Sequence, residues 1–266
     1  MINALSILNK ELRNVADTIV KNGWGEATAG NISINVTALT DEKDLVALRK
    51  GTKHVLQENY PQLAGEVLLI SASGSRMRSM VEELSTSVCF LLIEEGGAEY
   101  WQLPGKIDIA ERPPTSELPA HLAVHHLLKS TGRPEKVLLH THMTEAVALT
   151  HHPDYTTEKL LNKELYNMQP EMMTFLPGGV GLIPYFLPGS SKLAIATAEK
   201  FKNHGAALWE KHGCLTTGAT ANEALDRQEM IAKAIKVLLM CLSAGFKPQG
   251  LTGKQLAELE AMALNK

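Results

Sequence analysis

Apolar residues recur at helical spacing from the start of the chain. Leu5, Leu8, Leu12, Val15 and Ile19 share one helical face, and Asn22-Gly23 supplies a stop. A turn-rich stretch, Trp24 to Asn31, leads into Ile32-Ser33-Ile34-Asn35-Val36, whose alternation predicts a strand with one buried face. Residues 37–64 are polar and without period, and predict an irregular surface excursion. Val67-Leu68-Leu69-Ile70 predicts a second strand, ending in Ser71-Ala72-Ser73-Gly74-Ser75. Val88-Cys89-Phe90-Leu91-Leu92-Ile93 predicts a third, with Glu94-Glu95-Gly96-Gly97 as a hairpin turn.

A helix is expected from Ser116 to about Ser130, with Pro119 tolerated because it lies in the first turn. Strand 136–142 follows, then helices at about 144–149 and 156–168. Residues 177–184 read as a glycine-rich turn with a short strand, and 190–203 as a helix closed by Gly205. Ala207-Leu208-Trp209 is a strand running toward His212. The capping box Thr220-x-x-Glu223 opens a helix to about Leu242, and a short helix spans 254–264. Strands and helices alternate without repeat or low-complexity linker. That order implies one α/β domain with helices covering a mixed sheet.

Composition narrows the partners. A hydrophobic content of 44% fits a chain that buries a substantial core. The formal net charge is −3 with no basic block, so nothing points to nucleic acid and no nucleic-acid partner is expected. No apolar run approaches the roughly 18 residues of a membrane span. Met1-Ile2-Asn3-Ala4-Leu5 lacks the charged start of a signal peptide. Cys89, Cys214 and Cys241 form no CxxC pair, which favours a reduced, cytoplasmic setting and removes cysteine zinc motifs.

The chemistry concentrates in histidine. His140 and His142, two apart in a strand, point to the same face. With His212 downstream and Glu117 upstream they form a candidate metal set, for which zinc is the default ion. His-x-His alone is equally compatible with a cupin-type iron or a packed core, though a cupin requires a mostly β chain. The adjacent pairs His125-His126 and His151-His152 suit solvated faces, and His121, one helical turn after Glu117, reads as a satisfied helix histidine, with support of the metal set as the alternative. Glu117 falls just after Thr115-Ser116, which look like N-cap residues, so the helix dipole favours its anionic form. Gly30-Asn31, Ser73-Gly74-Ser75 and Thr115-Ser116 are three turns whose donors would cradle a phosphate if they met.

These features occur in the order Gly30-Asn31, Ser73-Gly74, Ser116-Glu117, His140-Thr141-His142 and His212-Gly213. In that order the chain resembles the class II aldolase (araD-like) family. The segment Pro114 to His121, Glu171 with Pro177-Gly178-Gly179-Val180-Gly181, and Pro188-Gly189-Ser190 extend the likeness to the branch acting on rhamnulose 1-phosphate.

The resemblance implies a single three-layer α/β/α domain over 1–266 with a largely antiparallel central sheet. It implies one Zn²⁺ per subunit held by His140, His142 and His212, with Glu117 as ligand or neighbour and as base. Asn31, Ser73, Gly74, Thr115 and Ser116 would hold the phosphate, and Glu171 would be a second catalytic carboxylate. The implied reaction cleaves a ketose 1-phosphate, L-rhamnulose 1-phosphate, into dihydroxyacetone phosphate and L-lactaldehyde, in a homotetramer. Enzymes of the same fold acting on fuculose 1-phosphate or ribulose 5-phosphate, a methylthioribulose-phosphate dehydratase, and a non-catalytic adducin-like binding protein are the alternatives. The last would have degraded metal ligands, whereas all three histidines and Glu117 are present.

Overall fold

The computed structural model describes residues 2–106, 110–155 and 157–263. Among them, helices α1 (Asn3–Asn22), α2 (Glu42–Leu48), α3 (Met77–Glu82) and α4 (Leu118–Ser130) are followed by α5 (Thr144–Leu149), α6 (Glu158–Met168) and α7 (Glu171–Phe175). Helices α8 (Ser191–Phe201), α9 (Ala221–Ser243) and α10 (Gly253–Ala263) complete the set. The strands are β1 (Asn31–Asn35), β2 (Thr52–Val55), β3 (Val67–Ser71), β4 (Val88–Ile93) and β5 (Glu99–Pro104), then β6 (Val137–Thr141), β7 (Val180–Ile183), β8 (Ala206–Trp209) and β9 (Gly213–Gly218). They form one sheet in the order β2-β5-β4-β3-β1-β6-β9-β8-β7. Every pairing is antiparallel except β7 with β8, so the sheet is mixed and largely antiparallel, as expected.

Strand alternation divides the core between the two faces. On one face Val67, Leu69, Val137, Leu139 and Leu208 pack against α1, α3, α5, α6 and α9. On the other, β6, β8 and β9 contribute Leu138, Trp209 and Leu215 to a cluster under α4 and α8. On that same face β3 and β4 contribute Leu68, Ile70, Cys89 and Leu91 to a second cluster under α4. β1 lies between these two groups of strands, and there it presents the polar residues Asn31 and Ser33, both buried. The result is a single three-layer α/β/α domain.

Several expectations needed revision. Residues 37–64 are largely regular: 3₁₀ turns cover 37–39 and 61–63, and α2 starts from an Asp41–Asp44 capping box. β2 runs at the sheet edge beside β5. Helix α4 begins at Leu118, so Glu117 itself occupies the N-cap position. β6 ends at Thr141, leaving His142 just beyond the strand. Helix α9 is capped by Thr220, which accepts from the Glu223 N–H, while the Glu223 carboxylate reaches the Ala219 N–H instead of closing the box. The expected helix starts and ends at 156 and 264 lie outside the described residues. No helix among the described residues is long and apolar enough to cross a membrane.

Candidate metal centre and active site

Backbone pairing assembles the site at one end of the sheet. Beyond β3, the Ser73 N–H donates to Pro113 O at 2.7 Å and the Thr115 N–H to Ser71 O at 2.9 Å. The two segments so joined, which meet in an isolated antiparallel bridge between Ala72 and Pro114, set the Ser73-Gly74 turn beside Thr115-Ser116. The Arg112 guanidinium donates to Ser73 O and Thr86 O from behind the turn. Ser71 Oγ accepts from the Ile32 N–H at 3.0 Å, tying the turn to β1. Gly189 closes the other side. Its φ is +76°, and a Cβ there would fall 2.8 Å from Ser116 O, so both conformation and space demand glycine.

The histidines converge from β6 and the β8–β9 hairpin. One ring nitrogen from each of His140, His142 and His212 lies within 4.8 Å of the others. His140 Nδ1 donates to Cys214 O at 3.1 Å, which leaves Nε2 as the lone-pair nitrogen. That Nε2 is buried and has no hydrogen-bond partner. His142 Nδ1 donates to Glu26 Oε1 at 3.0 Å, freeing its Nε2 in the same way. A carbonyl and a carboxylate behind two imidazoles are the supports that metal-ligating histidines ordinarily have. The donor set therefore fits a metal ion.

His212 is delivered by a tight turn. Lys211 takes a left-handed φ of +60°, and Trp209 pairs with Gly213 across the hairpin. A Cβ at Gly213 would lie 2.2 Å from Thr141 O and 3.0 Å from His140 Cε1, so the glycine after His212 is what lets β9 approach His140.

Glu117 completes the group. Its Oε1 is 3.4 Å from His212 Nε2 and its Oε2 3.5 Å from His140 Nε2. Oε2 also accepts from Asn31 Nδ2 at 2.8 Å. Burial pushes the Glu117 carboxyl above its ordinary range, opposed by Asn31, His212 and His142. Desolvation thus outweighs the helix-start effect expected for this residue. Burial and neighbouring imidazoles push His140 down to about 3 and His212 to about 4. At neutral pH both rings are in the unprotonated form that binds metals.

Asn31, Ser73, Gly74, Thr115, Ser116 and Glu117 line one cavity of about 380 Å³ with His142 and His212, and His140 is fully buried behind them. Thr28 lines the same cavity. Glu171 is placed elsewhere: it is exposed at the first position of α7, which packs on α6 and α9, and it does not line this cavity. His125 does not sit on a solvated face as its neighbour His126 suggested. It is 3% exposed, because α4 is covered on that side by β1. Glu26, Ser71 and Arg112 are site residues that sequence reasoning missed. Glu26 and Arg112 lie in loops and Ser71 is the last residue of β3, where a carboxylate, guanidinium or hydroxyl carries no periodic signal.

Comparison with known proteins identifies the family. Residues 10–239 match the family model described as class II aldolase and adducin N-terminal domain. A rhamnulose-1-phosphate aldolase of Bacteroides thetaiotaomicron is 31% identical, covering 95% of this chain and 93% of the relative. One from Listeria monocytogenes is 30% identical over 96% and 92%. Among solved structures, a sugar-phosphate aldolase from Thermotoga maritima superposes with a TM-score of 0.77 at 32% identity, covering 93% of this chain and all of that one. An L-fuculose-1-phosphate aldolase from Thermus thermophilus, 20% identical, shares the fold with a TM-score of 0.57 over 91% and 97%. By sequence, architecture and the placement of its histidines and Glu117, the chain belongs to the class II aldolase family.

Proposed function

We propose that this protein is a zinc-dependent aldolase that cleaves L-rhamnulose 1-phosphate between C3 and C4, giving dihydroxyacetone phosphate and L-lactaldehyde. The observation that carries the reading is the single cavity shared by the phosphate-type turns, Glu117 and the imidazoles of His142 and His212. Relatives named rhamnulose-1-phosphate aldolase, matched over most of both chains, support the choice of sugar.

His140, His142 and His212 would hold the ion, with Glu117 as fourth ligand or near neighbour; three imidazoles and a carboxylate suit zinc. When bound, the ion supplies Lewis acidity to the ketose carbonyl, so no Schiff-base lysine is needed. The turn donors of Ser73, Gly74, Thr115 and Ser116 hold the phosphate, and this remote binding fixes the reacting carbons. Asn31 retains a second amide hydrogen for a phosphate oxygen while its first serves Glu117.

Breaking C3–C4 requires the C4 hydroxyl to lose its proton and leaves the electron pair on C3, next to the carbonyl. Glu117 returns a proton to C3, and takes it in the synthetic direction. Its raised proton affinity suits that exchange. Glu171 is exposed on α7 and outside the cavity; in a homotetramer it would serve a neighbouring subunit, carrying the proton of the aldehyde oxygen. The whole chain, 1–266, acts as one domain in the cytoplasm.

Release of L-lactaldehyde from L-rhamnulose 1-phosphate by the zinc-loaded protein tests the reading. No release from protein of verified zinc content would contradict it.

A further inference from the structure

A line of buried polar groups runs through the apolar layer under α4. Glu117 Oε2 accepts from Asn31 Nδ2 at 2.8 Å, and Asn31 Oδ1 lies 2.5 Å from His121 Nε2. His121 Nδ1 is 2.6 Å from Ser33 Oγ, and Ser33 Oγ is 2.7 Å from His125 Nε2. His121 and Ser33 are fully buried, and none of the other members is more than 7% exposed.

With Glu117 ionised, the direction of every hydrogen bond in the line follows from the first. The Glu117 carboxylate only accepts, so the Asn31 amide must turn its NH₂ toward it. Asn31 Oδ1 then accepts, so His121 must carry its proton on Nε2. Neutral His121 has one N–H, so Nδ1 must accept, and the Ser33 hydroxyl must donate to it. The Ser33 oxygen in turn accepts from His125 Nε2–H. Burial keeps both rings neutral, pushing His125 down to about 4 and His121 well below its ordinary value. All donors point toward Glu117, and aligned bonds in a dry interior strengthen one another.

An apolar trio at these positions would join the two flanking clusters without any polar desolvation cost. We infer that His121, Ser33 and His125 are positioning residues: they lock the Asn31 amide in the orientation that holds the Glu117 carboxylate for proton transfer. His121 is the member that acts directly on Asn31. Without its Nε2–H, the amide is free to rotate and set Oδ1 against the carboxylate. The inference rests on the role of Glu117 proposed above.

Two measurements on the full-length protein test it. Long-range ¹H–¹⁵N correlation of the wild-type imidazoles reads the tautomers directly. The expected result is Nε2–H for both His121 and His125; Nδ1–H at His121 overturns the proposal. Steady-state cleavage of L-rhamnulose 1-phosphate then compares His121→Leu, His121→Gln and Ser33→Ala. His121→Leu should lower kcat by about ten- to hundredfold with KM within about threefold. His121→Gln, which keeps a donor toward Asn31, should recover most of the loss. Unchanged kcat in His121→Leu, or equal losses in Leu and Gln variants that fold normally, would overturn it. If His121→Leu does not fold, Ser33→Ala decides: a fall in kcat at constant KM supports the proposal, and unchanged kcat overturns it. Should the wild type cleave no ketose phosphate, the functional reading falls while the tautomers still decide the orientation of the amide.

Discussion

His140 Nε2 lies 3.5 Å from Glu117 Oε2, and that nitrogen has no hydrogen-bond partner although it is buried. A buried polar nitrogen left unpaired costs roughly 1–3 kcal/mol. It is tolerated here because Nδ1 is committed to Cys214 O and Nε2 faces two other imidazoles and a carboxylate. The arrangement is what a metal ligand looks like when its supports are built into the fold.

His140→Ala should therefore remove most bound metal while leaving the phosphate turns intact. Metal content per chain, measured by atomic emission, should fall well below one, and dihydroxyacetone phosphate should still bind weakly. A variant that retains a full equivalent of metal would place the ion elsewhere.

Glu117→Ser should reduce turnover by about a thousandfold or more, as expected when a positioned acid–base group is lost. Binding of dihydroxyacetone phosphate, followed by calorimetry, should survive. Near-normal turnover would remove Glu117 from the role of base.

Gly213→Ala should destabilise the protein by about 3 kcal/mol, because its Cβ would meet Thr141 O and the His140 ring with nowhere to relax. Urea unfolding checks this, and an unchanged midpoint would mean that β9 can shift away from β6.

The metal-free protein should lose stability on the acid side. His125 is held near 4 by burial, below its ordinary value of 6.5. Between those values the unfolded chain binds more protons, so stability is full above about pH 6.5 and declines as pH falls toward about 4. His140 acts in the same direction. Urea midpoints of metal-free protein from pH 7.5 to 4.5 should show the decline, and a flat series would contradict neutral burial of these rings.

Much of the site was legible because its residues sit on periodic elements. His140 stands on a strand of continuous apolar residues, and two-residue spacing brings His142 to the same side. Glu117 and Ser73-Gly74 mark element ends. What escaped has a physical reason in each case. β2, Thr52–Val55, is mostly exposed at a sheet edge and carries no apolar alternation. β9 hides buried Thr216 and Thr217, whose hydroxyls are satisfied by Ala224 O and Gly205 O, behind a polar composition. The burial of His121 and His125 depends on Ser33, which lies 88 and 92 residues away, so no local pattern announces it. Glu171 stood out in the sequence, yet its own chain leaves it outside the cavity.

The most direct test of the account combines metal content with product formation. Protein stripped by a strong chelator and verified metal-free should release no L-lactaldehyde from L-rhamnulose 1-phosphate. One equivalent of zinc should restore release of L-lactaldehyde and dihydroxyacetone phosphate in equal amounts, faster than any cleavage of L-fuculose 1-phosphate. Full activity in the metal-free sample, or no cleavage of a ketose 1-phosphate after zinc is restored, would contradict it.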